Sequence, residues 1–124
     1  MNTKTILYVK DNEFNRKIVR DLLGHTSYRL IEAADGEEGV AAALQEAPNL
    51  ILMDIQLPKI SGLVATRRLR ADPRTAQTPI IAITSYALSG DEQRALDAGA
   101  SAYLAKPYSP RELLALIRKL APES

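Results

Sequence analysis

The chain has 124 residues, of which 46% are hydrophobic and 25% charged, so we expect one compact domain rather than a disordered or fibrous segment. The formal net charge of +1 provides no general attraction to nucleic acid or anionic membranes, and neither is expected as a partner. The sequence contains no cysteine, which excludes disulfides and thiolate metal sites, and no apolar run resembles a signal peptide or reaches membrane-spanning length. These features favour a cytoplasmic protein.

Short apolar runs alternate with segments of helical periodicity along the chain. The runs predict five β-strands, at residues 6–9, 29–32, 50–53, 80–83 and 102–104. The segments between and after them predict five helices, at residues 15–23, 36–47, 62–71, 90–98 and 110–120. Three runs, I-L-Y-V, L-I-L-M and I-I-A-I, are nearly all apolar, as in strands covered on both faces of a parallel sheet. The pattern predicts an α/β fold with an open doubly wound sheet, formed by a single domain over residues 1–124.

Polar residues follow four of the predicted strands. Lys10 and Asp11 come after the first strand, Asp54 after the third, Thr84 after the fourth, and Lys106 shortly after the fifth. In doubly wound sheets, ligands bind outside the carboxyl ends of the strands. Each residue alone has an ordinary explanation, as a helix cap, a turn hydroxyl or a solvated charge. Their occurrence together favours a functional site at this edge.

Four stretches of the sequence resemble a known family. They are I-L-Y-V-K-D-N-E-F-N-R, L-I-L-M-D-I-Q-L-P-K-I-S-G-L, P-I-I-A-I-T-S-Y-A and A-Y-L-A-K-P. Their combination resembles the response regulator receiver domain of two-component signalling, in the CheY-like superfamily, and the chain is similar in particular to single-domain cell-cycle regulators of the DivK type. The resemblance covers the whole chain and implies a flavodoxin-like (βα)5 sandwich with a parallel sheet of order 2-1-3-4-5. It also implies phosphoryl transfer from a phosphohistidine, on a histidine kinase or a phosphotransfer protein, to an aspartate.

The resemblance assigns roles to individual residues. Asp54 matches the phosphoacceptor, and a carboxylate oxygen is a competent nucleophile for this reaction. Lys106 and Thr84 match the lysine and the hydroxyl that bind the phosphoryl group. Tyr103 matches an aromatic residue that turns inward when the threonine moves, although an ordinary core or surface tyrosine is the alternative.

The resemblance also implies a Mg²⁺ site formed by Asp11, Asp54 and the backbone carbonyl of Gln56. These are hard oxygen ligands of the kind that Mg²⁺ prefers. The side chains of Gln56 and Tyr86 match positions that modulate loss of the phosphoryl group. The family normally has a second acid immediately before Asp11, where this chain has Lys10.

Lys10 changes the charge of the predicted site. With an acid at position 10, three carboxylates and Lys106 would sum to −2, but Lys10, Asp11, Asp54 and Lys106 sum to zero. At about 5 Å from a divalent cation, this replacement costs roughly 3 kcal/mol even at the dielectric constant of water, or about two decades of affinity. We therefore expect Lys10 to weaken or supplant Mg²⁺, with its ammonium paired with Asp54 or neutralising the phosphoryl group. The alternative is a lysine that extends into solvent and leaves metal binding nearly intact.

Three functions are compatible with such a fold. We expect a signalling switch, in which modification of Asp54 changes contacts with a downstream protein and the only catalysis is the domain's own phosphorylation and dephosphorylation. The alternative is a pseudo-receiver that binds partners independently of phosphorylation because Lys10 replaces a metal-site acid. A cofactor or nucleotide domain is disfavoured, because D-N-E after the first strand repels phosphate and the sequence contains no G-x-x-x-x-G-K-[ST].

Overall fold

Strands and helices alternate throughout the chain in the computed structural model, which describes residues 3–84, 89–105 and 107–123. The ten predicted elements are confirmed, and their ends differ from the predicted ends by no more than two residues. The elements are β1 (Thr5–Val9), α1 (Glu13–Leu23), β2 (Arg29–Ala33), α2 (Gly36–Glu46), β3 (Leu50–Asp54), α3 (Gly62–Ala71), β4 (Ile80–Thr84), α4 (Asp91–Ala98), β5 (Ala102–Ala105) and α5 (Pro110–Leu120).

The five strands form one parallel sheet in the order β2-β1-β3-β4-β5, which confirms the predicted order. The order reverses at β1, which pairs with β2 on one side and with β3 on the other. Val9 pairs with Met53, and Asp54 pairs with Ile83. This register places the carboxyl ends of β1, β3 and β4 side by side at the switch point, where doubly wound sheets bind ligands.

Two hydrophobic layers cover the faces of the sheet. Side chains alternate along β1, so Ile6 and Tyr8 face one layer while Leu7 and Val9 face the other. The first layer is completed by α1 and α5, through Val19, Leu23, Leu113 and Ile117. The second layer is completed by α2 and α3, through Ala43, Ala65 and Leu69. Because β1, β3 and β4 are covered on both faces, their sequences are almost continuously apolar.

Local capping explains where the helix ends differ from the prediction. Helix α1 begins at Glu13, two residues earlier than predicted, because the Asn12 side chain accepts a hydrogen bond from the Asn15 N–H. Helix α2 ends before Ala47, which has a left-handed backbone with φ of 47°. Helix α4 begins after Gly90, whose φ of 85° also lies outside the helical region. None of the helices in the described ranges combines the length and hydrophobicity needed to cross a bilayer.

Candidate functional site

Strands β3 and β4 are each one residue longer than predicted, so Asp54 and Thr84 are the final residues of their strands. Lys10 and Asp11 follow β1, the neighbour of β3. The sheet therefore brings four of the predicted site residues to one edge. Lys106 and Tyr86, which the sequence also predicts at the site, lie outside the described residues.

Lys10 points into the site and pairs with Asp54. The distance from Lys10 Nζ to Asp54 Oδ2 is 3.0 Å, and the two side chains are only 11% and 2% exposed. The same Nζ lies 4.0 Å from Oδ1 of Asp11, whose side chain is half exposed. The ammonium thus lies between the two carboxylates. This arrangement contradicts the alternative in which Lys10 extends into solvent, and it agrees with the expected pairing of Lys10 and Asp54.

The backbone of Lys10 is held by its neighbours, which fixes the point from which its side chain extends toward Asp54. Its N–H donates to the Ala33 carbonyl at 3.0 Å. Arg16 Nη1 donates to the carbonyls of Lys10 and Asp11 at 2.6 and 3.2 Å. The Nε of Arg16 donates to Glu32 Oε1 at 3.2 Å, so the guanidinium is itself anchored to β2. Sequence reasoning did not identify Arg16, because an arginine in the first turns of a helix is ordinarily a solvated residue.

Asp54 is buried, with 1% of its surface exposed. Burial raises the pKa of its carboxyl group, and hydrogen bonding to Lys10, with a smaller effect of the nearby Gln56 backbone N–H, opposes this increase. Its Oδ2 accepts from Lys10, whereas its Oδ1 is buried and makes no hydrogen bond in the part of the chain described. One oxygen of the carboxylate is therefore held by a cation, and the other is desolvated.

Thr84 and Gln56 contact each other at the site. The Thr84 hydroxyl donates to Gln56 Oε1 at 2.7 Å. Thr84 is fully buried, whereas Gln56 follows Asp54 in the exposed loop after β3. The sequence predicted both residues but not their contact. The hydrogen bond gives the Gln56 side chain a direct connection to the hydroxyl that the resemblance associates with phosphoryl binding.

Tyr103 lies on β5, beside β4, and is partly buried. It packs against the hydrophobic cluster that includes Ile55, Ala82 and Ala95. Burial raises the pKa of its phenol, and the negative charge of Asp91 adds to this effect. This position suits either a mobile aromatic residue or an ordinary half-buried tyrosine, so the predicted switching role stays a prediction.

Gly62 allows the loop after β3 to fold closely against the site. A Cβ atom at this position would lie 1.9 Å from the carbonyl oxygen of Asp54. The Gly62 N–H donates to the Ile55 carbonyl at 2.8 Å, which joins the start of α3 to the end of β3. The sequence placed this glycine within a recognisable motif, but the backbone contact that requires it is visible only in the fold.

An apolar surface on α1 adjoins the site. Phe14 and Ile18 are 69% and 45% exposed and lie one helical turn apart. A cavity of about 180 Å³ lies between α1 and α5. It is lined by Tyr8, Asn15, Ile18, Val19, Leu22, Tyr108, Pro110 and Leu113. Burial raises the pKa of both tyrosines in its wall, and the charge of Asp54 contributes in each case, which places the cavity within electrostatic reach of the site.

While Lys10 lies between them, the carboxylates implied as Mg²⁺ ligands leave no position for a divalent cation. A cation bound to both Asp11 and Asp54 would displace the Lys10 ammonium, which lies between them. Within residues 3–84, 89–105 and 107–123, histidine, cysteine, aspartate and glutamate form no group of three or more that could hold a metal ion. The two carboxylates, with an ammonium between them, therefore offer a divalent cation less negative charge than the family pattern with a second acid.

Comparison with known proteins identifies relatives along most of the chain. The family model described as "Response regulator receiver domain" matches residues 6–118. The polar-differentiation response regulator DivK of Brucella ovis is 41% identical over 116 residues, which are 94% of each protein.

The receiver domain of the sensor histidine kinase PA1611 from Pseudomonas aeruginosa PAO1, solved with magnesium in its active-site cleft, is 38% identical. Its TM-score is 0.88, with coverage of 96% of this chain and 98% of that one. The chemotaxis protein CheY4 of Vibrio cholerae has the same TM-score of 0.88 at 27% identity, with coverage of 96% and 99%.

Proposed function

Since this chain belongs to the response regulator receiver domain family, we propose that it is a signalling switch that accepts a phosphoryl group on Asp54. The observation that carries this proposal is the state of the Asp54 carboxylate. One of its oxygens is desolvated and makes no hydrogen bond to a described residue, and the other is held 3.0 Å from a cation. A buried carboxylate oxygen without hydrogen bonds is more nucleophilic than a hydrated one.

In the proposed reaction, a carboxylate oxygen of Asp54 attacks the phosphorus of a phosphohistidine on a histidine kinase or phosphotransfer protein. An acyl phosphate forms on Asp54 while the bond from phosphorus to the histidine nitrogen breaks. The transferred group is stabilised mainly by charge and hydrogen bonds to its oxygens. We assign these contacts to the Thr84 hydroxyl, once it leaves Gln56, and to Lys106. We propose that the only catalysis is this phosphorylation and the later hydrolysis of the acyl phosphate on Asp54.

A protein donor has to approach the carboxyl edge of the sheet, where Asp54 is located. The exposed Phe14 and Ile18 on α1 adjoin this edge and offer an apolar contact surface for the donor. Phosphorylation then changes the contacts of Thr84 and Tyr103, and a downstream protein detects the change at the adjoining surface. This scheme involves neither nucleic acid nor membrane, and we place the protein in the cytoplasm.

We propose that Mg²⁺ binds only weakly to this site. Asp11, Asp54 and the carbonyl of Gln56 would be its protein ligands, and a bound divalent cation would neutralise charge on the phosphoryl oxygens. The ammonium of Lys10 opposes that binding, both by its charge and by its position between the two carboxylates. No step of the proposed reaction requires the metal.

Mass spectrometry of the intact protein tests the proposed function. The protein is incubated with acetyl phosphate, and separately with a phosphohistidine protein, beside the Asp54→Asn variant as a matched control. We expect one phosphoryl adduct on the native chain and none on the variant. Absence of an adduct with both donors, in a protein shown to be folded by circular dichroism, would contradict the proposal.

The buried ion pair also favours a second function. If Lys10 holds Asp54 too firmly for reaction, the domain is a pseudo-receiver that binds partners in a single conformation. The 3.0 Å contact between the two side chains is the observation behind this alternative. In that case, Asp54→Asn would leave partner binding unchanged. A switch instead requires partner binding that changes when Asp54 carries the phosphoryl group.

A further inference from the structure

We propose that Lys10 is a catalytic residue that takes the place of a divalent cation, so that Asp54 is phosphorylated without Mg²⁺. This inference rests on the proposed function of Asp54 as phosphoacceptor. It adds a specific role for the residue by which this chain departs from the pattern of the family it resembles. It also assigns the two oxygens of Asp54 to different tasks.

The location of the ammonium is the first support. Lys10 Nζ is 3.0 Å from Asp54 Oδ2 and 4.0 Å from Asp11 Oδ1, and the lysine side chain is 11% exposed. It therefore contacts one carboxylate directly and lies within ion-pair distance of the other. A positive charge is already present where a metal bound to both acids would place one, and it does not have to be recruited from solution.

The second support is the way in which this cation is positioned. The backbone N–H of Lys10 donates to the Ala33 carbonyl at 3.0 Å, and Arg16 donates to the Lys10 carbonyl at 2.6 Å. The backbone is held on both sides, and the side chain is buried against Asp54, so the ammonium is directed toward the carboxylate before any donor binds. A cation that is already oriented requires no reorganisation during the reaction.

The third support is the difference between the two oxygens of Asp54. Oδ2 accepts from Lys10, whereas Oδ1 is buried without a hydrogen bond in the described part of the chain. We assign Oδ1 as the nucleophile, because its lone pairs are not engaged by those residues. Lys10 fixes the plane of the carboxylate through Oδ2 and offsets the negative charge that accumulates as the phosphoryl group approaches.

The reaction balances without a further reactant. A bond forms between Oδ1 and phosphorus, and the bond from phosphorus to the donor breaks. The electron pair of the broken bond stays with the leaving group, which is acetate from acetyl phosphate or imidazolate from phosphohistidine, and the imidazolate takes a proton from water to become imidazole. Lys10 keeps its protons throughout and forms an ion pair with the new phosphoryl group.

The decisive experiment measures the rate of adduct formation from acetyl phosphate in Mg²⁺ and in EDTA. It compares the native protein with Lys10→Met, which removes the charge at similar length, and Lys10→Glu, which restores an acid. Lys119→Glu makes the same charge change on an exposed side chain near the end of α5, at the opposite edge of the sheet. Asp54→Asn, which lacks the proposed phosphoacceptor, is the negative control.

We expect the native protein and Lys119→Glu to react equally fast in EDTA and in Mg²⁺. Lys10→Met should lose the reaction in EDTA, and Lys10→Glu should react only with Mg²⁺. A native rate that collapses in EDTA would overturn the inference, as would a Lys10→Met variant that reacts at the native rate in EDTA. Both results would leave the proposed function intact.

Calorimetric titration with Mg²⁺ provides a readout that does not depend on phosphorylation. We expect Lys10→Glu to bind Mg²⁺ roughly a hundredfold more tightly than the native protein does, because the substitution changes two units of charge near the metal. Equal affinities would show that Lys10 does not occupy the position of the cation. The absence of any adduct in all variants would instead refute the proposed function. The titration would still show whether Lys10 occupies the position of the cation.

Discussion

Replacing Lys10 by methionine should destabilise the protein through the charge that it leaves behind on Asp54. The two groups are 3.0 Å apart and both are buried. At an effective dielectric constant of about 20, their attraction is about 5 kcal/mol, most of which offsets the desolvation of the two groups. Removing one partner leaves the carboxylate without this compensation, and such losses are typically about 3 to 5 kcal/mol.

Protonation of Asp54 limits how much stability the Lys10→Met variant can lose. Adding a proton to an ordinary aspartate at neutral pH costs about 4 kcal/mol, so the variant can lose no more than that before the carboxyl becomes neutral. We therefore expect a loss of about 3 kcal/mol in the free energy of unfolding, or about 10 °C in Tm for a chain of this size.

The loss should also depend on pH. Burial raises the pKa of Asp54 in the folded state, so folding favours the protonated carboxyl. This contribution to stability is complete below the unfolded pKa and is lost as pH rises through the folded pKa. Without Lys10, the folded pKa rises further. The variant should therefore approach the native stability as the solution is acidified, and the difference should be largest at neutral pH and above.

A double-mutant cycle in urea isolates this interaction. Lys10→Met is measured in the native background and in Asp54→Asn, where the substitution leaves no buried carboxylate without a partner. We expect the substitution to cost less than about 1 kcal/mol in the second background, and the exposed control Lys119→Met to change stability by no more than about 0.5 kcal/mol. Equal losses in both backgrounds would refute the reasoning, because the coupling between the two residues would then be zero.

Two further predictions concern the surroundings of the site, and a third concerns Ser27 and Glu123 at the opposite edge of the sheet. Gly62→Ala should destabilise the protein by about 3 kcal/mol or more in urea unfolding, because its Cβ would lie 1.9 Å from a carbonyl oxygen. Gly24→Ala, with nearest atoms 3.3 Å away, should have a much smaller effect. Arg16→Met should lower the free energy of unfolding by about 1 to 3 kcal/mol, since it leaves carbonyls of the β1–α1 loop without a donor. The same substitution should lower the rate of acetyl phosphate labelling. Hydrogen bonds from Ser27 lower the pKa of Glu123 to about 2, so the Ser27 amide resonance should titrate near that value. The associated stability should be present above pH 4.5 and lost as pH falls through about 2, and a Ser27 midpoint near 4.5 would contradict this.

The sequence predicted secondary structure best where the pattern of apolar residues matches the burial of the element in the fold. The apolar runs that became β1, β3 and β4 are buried on both faces of the sheet, so their composition follows directly from their environment. Periodicity predicted the five βα units, whereas the specific strand order came from the family resemblance. Helix ends were less accurate, because the Asn12 cap and the left-handed backbone of Ala47 decide them locally.

Four of the predicted site residues, Lys10, Asp11, Asp54 and Thr84, lie together at one edge of the sheet, and the pairing of Lys10 with Asp54 was expected, but the other contacts were not predicted. Lys10 was recognised as unusual from its neighbours in sequence, but the hydrogen bonds that hold its backbone come from Arg16 and go to Ala33, which belong to other elements. The bond from Thr84 to Gln56 likewise joins residues 28 positions apart. Such contacts depend on tertiary structure, and no local pattern in a single sequence encodes them.

Site mapping after reaction with acetyl phosphate in EDTA tests the central claim most directly. Borohydride reduces an acyl phosphate to an alcohol, which marks the modified aspartate by mass in the proteolytic peptide. The account predicts that Asp54 is the reduced residue in the native protein and that Lys10→Met shows no reduction under the same conditions. Modification of another residue, or labelling of Asp54 only when Mg²⁺ is added, would contradict it.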